Sequence, residues 1–125
     1  MASQTVSPSQ RARPLARRRI TRRGIASVAN RIAAQFHPEQ IILFGSYAYG
    51  RPRAGSDVDL LIVMNTKLRP RQQAAEISVF LFPYPFPMDI LVETPRHLKH
   101  RIALGDPFLS EIVSKGKTLY ARAHA

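Results

Sequence analysis

Between residues 25 and 36, Ile25, Val28, Ala29, Ile32, Ala33 and Phe36 recur at i, i+3, i+4 and i+7. That spacing predicts an amphipathic helix, which His37-Pro38 ends. The pattern then changes. Ile41-Ile42-Leu43-Phe44 and Leu60-Leu61-Ile62-Val63 are short, unbroken, β-prone apolar runs, each the length of a strand. From Arg69 to about Leu81, Ala74, Ala75, Ile77 and Leu81 stand among polar residues and predict a connecting helix. Pro83, Pro85 and Pro87 break it, so Phe82 to Pro87 is not helical, and its aromatics form either an extended connector or an exposed binding edge. Ile90-Leu91-Val92 predicts a third strand. Thr94-Pro95 offers a capping threonine with proline at the first helical position, leading to Leu98 and Ile102 before Gly105. Asp106-Pro107 repeats the device for a helix carrying Phe108, Leu109, Ile112 and Val113, closed by Gly116, and residues 117–122 supply a last edge strand. The expected order is α-β-α-β-α-β, then helices and the edge strand.

At 125 residues, the chain has the size of one domain with one core. It contains no cysteine, which excludes disulfides and thiolate chemistry and agrees with a reducing cytosol. No apolar stretch approaches the roughly 20 residues of a membrane span, and no signal-peptide core is present, so a soluble, cytoplasmic protein without a membrane partner is expected. The net charge of +11 is uneven. Residues 1–38 hold eight arginines and no acid, whereas the remainder holds 11 basic and 8 acidic residues. Two parts are expected: a basic, disordered arm over residues 1–22 and a folded domain over 23–122. Such an arm could bind nucleic acid through phosphate contacts, dock on an acidic partner, or remain a solvated tail or transit-type extension.

Candidate chemistry concentrates in the carboxylates. Asp57 and Asp59 are two residues apart at the entrance of the second apolar run. On a strand both would leave one face, roughly 6.6 Å apart at about 3.3 Å of rise per residue. At an effective dielectric of about 20 their repulsion is on the order of 2.5 kcal/mol, an upper figure for an open cleft, and a shared Mg²⁺ would turn it into attraction. Asp89 heads the third run, where an acid beside buried neighbours needs solvent, a partner or a cation. Upstream, the strand at 41–44 feeds Gly45-Ser46, where glycine lets the main chain approach an anion and the Ser46 hydroxyl adds a donor. Gly45 to Gly50 imitates the spacing of a P-loop, but Arg51-Pro52 replaces the Lys-Ser/Thr pair. Arg51 and Arg53 are candidates for neutralising a triphosphate. For Arg53 a solvated loop arginine is an equal reading. The four histidines form no zinc pattern: His97 and His100 share a helix face beside Lys99 and Arg101 and read as exposed.

The string GSYAYGRPRAGSDVDLLIV at 45–63 and MDILV at 88–92 resemble the polymerase-β-like nucleotidyltransferase superfamily, specifically its minimal stand-alone members, over about residues 25–122. The resemblance implies an α/β (α+β) palm with a short mixed β-sheet packed against helices. It implies that Gly45 and Ser46 hold the nucleoside triphosphate, that Asp57 and Asp59 ligate two Mg²⁺, and that Asp89 completes the site beside the acceptor hydroxyl. Many small relatives carry arginine just before the second glycine, where this chain has Tyr49, and Arg51 is the candidate to stand in. Independently of any family, three carboxylates on adjacent strands suit a two-metal clamp for attack of a hydroxyl on an α-phosphorus, with Asp89 helping to deprotonate the nucleophile.

Stand-alone relatives are similar to the antitoxin halves of modules whose partner is a helical HEPN ribonuclease, in which the transferase moves AMP from ATP to a toxin tyrosine. The expected function is that one, in a possible hetero-oligomer with a HEPN toxin. Two alternatives stay open: a catalytically weak antitoxin acting by contact, and a small-molecule nucleotidyltransferase.

Overall fold

The computed structural model describes residues 19–123, so the basic arm expected at the N-terminus falls largely outside the described residues, as does His124. The first helix, α1 (Arg22–Phe36), starts where Thr21 Oγ1 accepts from the Gly24 N–H and ends at His37, whose φ of 52° is left-handed. The following Pro38, which cannot continue a helix, is buried. Strand β1 (Gln40–Phe44) then leads into α2 (Ser46–Tyr49), followed by β2 (Val58–Val63), α3 (Pro70–Leu81) and β3 (Met88–Glu93). Helices α4 (Pro95–Ala103) and α5 (Pro107–Lys115) and strand β4 (Lys117–Ala121) follow, the last elements among the described residues. Both predicted Pro-starts hold for a local reason. Thr94 Oγ1 accepts from the His97 N–H at 3.2 Å, and Asp106 Oδ1 accepts from the Phe108 and Leu109 N–H groups at 3.0 Å.

The four strands form one sheet in the order β3-β2-β1-β4. β1 is antiparallel to both β2 and β4, while β2 and β3 run parallel, joined by α3. Strand alternation sends the apolar residues to two faces. Ile41, Leu43, Val58, Leu60, Ile62 and Val92 pack with Ile25, Val28, Ile32, Ile77 and Leu81 of α1 and α3. Ile42, Phe44, Leu61 and Val63 pack with Leu98, Leu109 and Ile112 of α4 and α5. This is the mixed α/β architecture expected from the sequence. Gly116 explains how closely α5 can end over β1: a Cβ there would lie 2.6 Å from Ile42 Cγ2 and 2.9 Å from the Leu43 carbonyl oxygen. No helix among the described residues is long and apolar enough to cross a membrane.

Four local expectations need correction. The segment after Gly45 is a single helical turn instead of an open glycine loop, because Gly45 O accepts from the N–H groups of Ala48 and Tyr49 at 2.9 and 3.0 Å. Asp57 precedes β2 and is exposed. β3 is an edge strand with Val92 its one buried residue, where a buried strand was expected, and of the readings open for Asp89 exposure to solvent at the strand end is the one found. The aromatics of 82–87 divide: Phe86 is buried in the core, whereas Phe82 and Tyr84 are exposed and meet edge to face at 5.6 Å.

Candidate active site

The register between β2 and β3 places Asp59 directly beside Asp89. Paired residues of neighbouring strands lie about 4.8 Å apart and leave the same face of the sheet. That face is the one covered further along by α4 and α5, since Asp59 alternates with Leu61 and Val63. Asp57, two residues before Asp59, continues the same line towards solvent. The turn at 53–56, closed by Ser56 N–H to Arg53 O and Arg53 N–H to Ser56 Oγ, both at 2.9 Å, delivers the chain to that point. The Val58 N–H then donates to Pro87 O at 3.0 Å and ties the two strand starts together. The three predicted acids therefore share one end of the sheet.

Asp59 is the most constrained of them. Burial pushes its carboxyl above the ordinary carboxylate range, and the negative charges of Asp89 and then Asp57 push it further. Its cross-strand partner Phe44 is buried and meets Phe108 of α5 edge to face at 5.8 Å, an apolar pair that walls the site on the β1 side. On the same side Gly45, at φ 76° and ψ −158°, presses against the carboxylate: a Cβ there would overlap Asp59 Oδ2 and lie 3.1 Å from Cγ. Only glycine adopts that backbone without strain.

From Gly45 the α2 turn begins, and the N–H groups of Ser46 and Tyr47 lie in its first positions, where no intrahelical acceptor exists. Together with the Ser46 hydroxyl they form a donor set next to the acids. Tyr49 belongs to the same corner. Burial raises its phenol above the ordinary range; the Gly45 N–H opposes this, and the carboxylates of Glu111 and Asp59 reinforce it. Glu111, on α5, is thus a fourth acid near the site that sequence reasoning missed; it lies on the polar side of a surface helix and nothing in its local pattern sets it apart. Arg51 and Arg53 are exposed on the loop that follows α2 and take part in none of the ion pairs among the described residues. His97, exposed as expected, pairs with Glu93 at 2.6 Å, away from the acids.

Among the described residues no three His, Cys, Asp or Glu side chains are already drawn together as a metal-ligand group. The donor chemistry nevertheless fits a divalent cation. Asp59 and Asp89 are hard oxygen donors on one face, Asp57 stands just before the same strand, close enough for its charge to act on Asp59, and none of the three has a cation among its ion-pair partners in the described residues. The mutual repulsion that lifts Asp59 is what a shared cation would relieve. Backbone register sets the adjacency of Asp59 and Asp89, and side-chain rotation of Asp57 would be needed to add a third donor.

The family profile described as "Nucleotidyltransferase domain" matches residues 25–120, spanning the nine elements of the described residues but for the first turn of α1 and the last residue of β4. No curated protein matches the chain. The matched span contains the Gly45-Ser46 turn and all three acids, and its mixed sheet is consistent with the polymerase-β-like palm. The chain belongs to the nucleotidyltransferase domain family.

Proposed function

We propose that this protein transfers AMP, or another nucleoside monophosphate, from its triphosphate to a protein hydroxyl, a tyrosine of a cognate HEPN toxin, and so acts as an antitoxin. Nucleotidyl transfer itself follows from the family. The observation that carries the finer reading is the Asp59–Asp89 pair at the edge of the sheet: Asp57 and Asp89 are both exposed there, so a hydroxyl standing on another protein's surface can approach them.

In this reading the Ser46 hydroxyl and the first N–H groups of α2 hold the triphosphate, and Arg51 folds onto it as a charge partner. Asp57, Asp59 and Asp89 would hold Mg²⁺, which when bound supplies neutralisation of the phosphate charge. Asp89, at the outer strand, takes the proton of the acceptor hydroxyl as its oxygen bonds to the α-phosphorus. The α–β phosphoanhydride bond breaks and pyrophosphate leaves.

Incubation of the protein with its co-purified partner and ATP labelled at the α-phosphorus tests this. Label on a partner tyrosine, dependent on Mg²⁺ and lost in Asp57→Ala, is the expected result; an unlabelled partner overturns it. A second reading is favoured by Tyr49, which puts a neutral phenol beside Asp59 where a cation would grip phosphate. In that reading the protein neutralises its toxin by contact alone, and neutralisation survives Asp57→Ala and Asp59→Ala together.

A further inference from the structure

On the face of the sheet opposite the acids lies a cavity of about 510 Å³, bounded by the start of α1, the end of β1, the start of β4 and the α2 turn. Its walls are Ile20, Ile25, Ala26, Leu43 and Leu119, with the ring of Tyr47; its polar groups are Arg22, Lys117 and Thr118. That volume and that mixture, a mostly apolar lining with a few convergent polar groups, are those of a small-molecule site.

The charges select the ligand. No acid lines the cavity, and neither Arg22 nor Lys117 takes part in an ion pair among the described residues. Two cations at the rim of an apolar chamber are complementary to a molecule with an anionic head and an apolar body, the head meeting Arg22 and Lys117 and the body displacing water from Leu43, Ile25 and Leu119. We propose that this cavity is a second binding site, for a small amphiphilic anion. Its position suggests what binding would do. Tyr47, in the cavity wall, is adjacent to Ser46 in the same helical turn, so an occupant pressing on Tyr47 acts on the segment that presents Gly45 and Ser46 to the acids.

The chain contains no tryptophan, so Tyr47→Trp places a single tryptophan, excited apart from the remaining tyrosines, in the cavity wall. Decanoate and adenosine monophosphate, titrated separately into the full chain carrying Tyr47→Trp, distinguish a fatty-acid-like from a nucleotide-like occupant. The expected result is a saturable emission change with one of them. Adding Arg22→Glu and Lys117→Glu should weaken that binding at least about tenfold, the loss of two charged contacts, and Ala26→Phe, which plugs the mouth, should abolish it. Arg51→Ala in the same background, which removes the nucleotide-gripping charge of the site across the sheet, should leave it intact and so separates the two sites. If neither compound produces a saturable change, or if the affinity is indifferent to both the charge reversal and the plug, the proposal is overturned. Should the charge-reversed protein fail to fold, as circular dichroism would show, the plugged variant decides alone.

Discussion

Gly45 and Asp59 touch so closely that position 45 has no room for a β-carbon: one placed there would overlap Asp59 Oδ2 and lie 3.1 Å from Cγ, on a backbone whose φ is 76°. The turn that presents Ser46 and the strand that presents Asp59 are thereby fixed against each other, and the spacing between donor turn and carboxylate depends on a missing side chain.

Gly45→Ala should therefore impair the protein twice. The backbone conformation alone should cost about 1–3 kcal/mol of stability, visible in denaturant unfolding. Displacing Asp59 by about an ångström should lower nucleotidyl transfer on the order of 100-fold, measured on the folded fraction.

Asp59→Asn should separate stability from activity. The folded-state carboxyl titrates above its unfolded value, so ionising it opposes folding: the penalty is absent below the ordinary carboxylate range, accumulates as pH rises towards the raised folded value, and is constant above it. In metal-free buffer at neutral pH the variant should melt higher than the parent, with the gap closing as pH falls through the carboxylate range. Mg²⁺ should raise the melting temperature of the parent and not of Asp59→Asn. Transfer should be lost in the variant at every pH.

Arg51→Ala should act on nucleotide grip. An exposed arginine that reaches a triphosphate only when it is bound should raise KM for the nucleotide about tenfold or more with a smaller effect on kcat, in steady-state assays over a range of nucleotide concentrations. An unchanged KM would return Arg51 to the solvated loop.

Tyr49→Arg should do the opposite. A guanidinium within reach of the charges of Glu111 and Asp59, in place of a phenol that those charges oppose ionising, should lower KM for the nucleotide and reduce the gain in melting temperature from Mg²⁺, because the cation partly replaces the metal.

Asp106→Ala should weaken the scaffold without touching the chemistry. Asp106 accepts from the first N–H groups of α5 and from Arg101, and these contacts, the Leu109 N–H first, hold its carboxyl below the ordinary range. Its contribution is present above the ordinary carboxylate value and disappears as pH falls through the lowered folded value. The variant should melt several degrees lower at neutral pH, converge with the parent in strong acid, and keep its KM.

The chain's own pattern determined its elements and the identity of its acids. Helical spacing marked α1 and α3, unbroken apolar runs marked β1 and β2, and two capping residues followed by proline marked α4 and α5, because these signals act within a few residues and do not depend on the rest of the fold. The Asp-x-Asp pair behind a glycine turn was legible for the same reason. Pairing was not. That β3 lies at an edge, parallel to β2 and in register through Asp59 and Asp89, is a choice among strand partners far apart in sequence, and it left Asp89 solvated where its neighbours suggested burial. The approach of Glu111 to Tyr49, the contact of Gly45 with Asp59 and the cavity between α1 and β4 likewise arise where separate segments meet. Local sequence carries local preference, whereas distance between remote side chains is set only when the two faces of the sheet are packed.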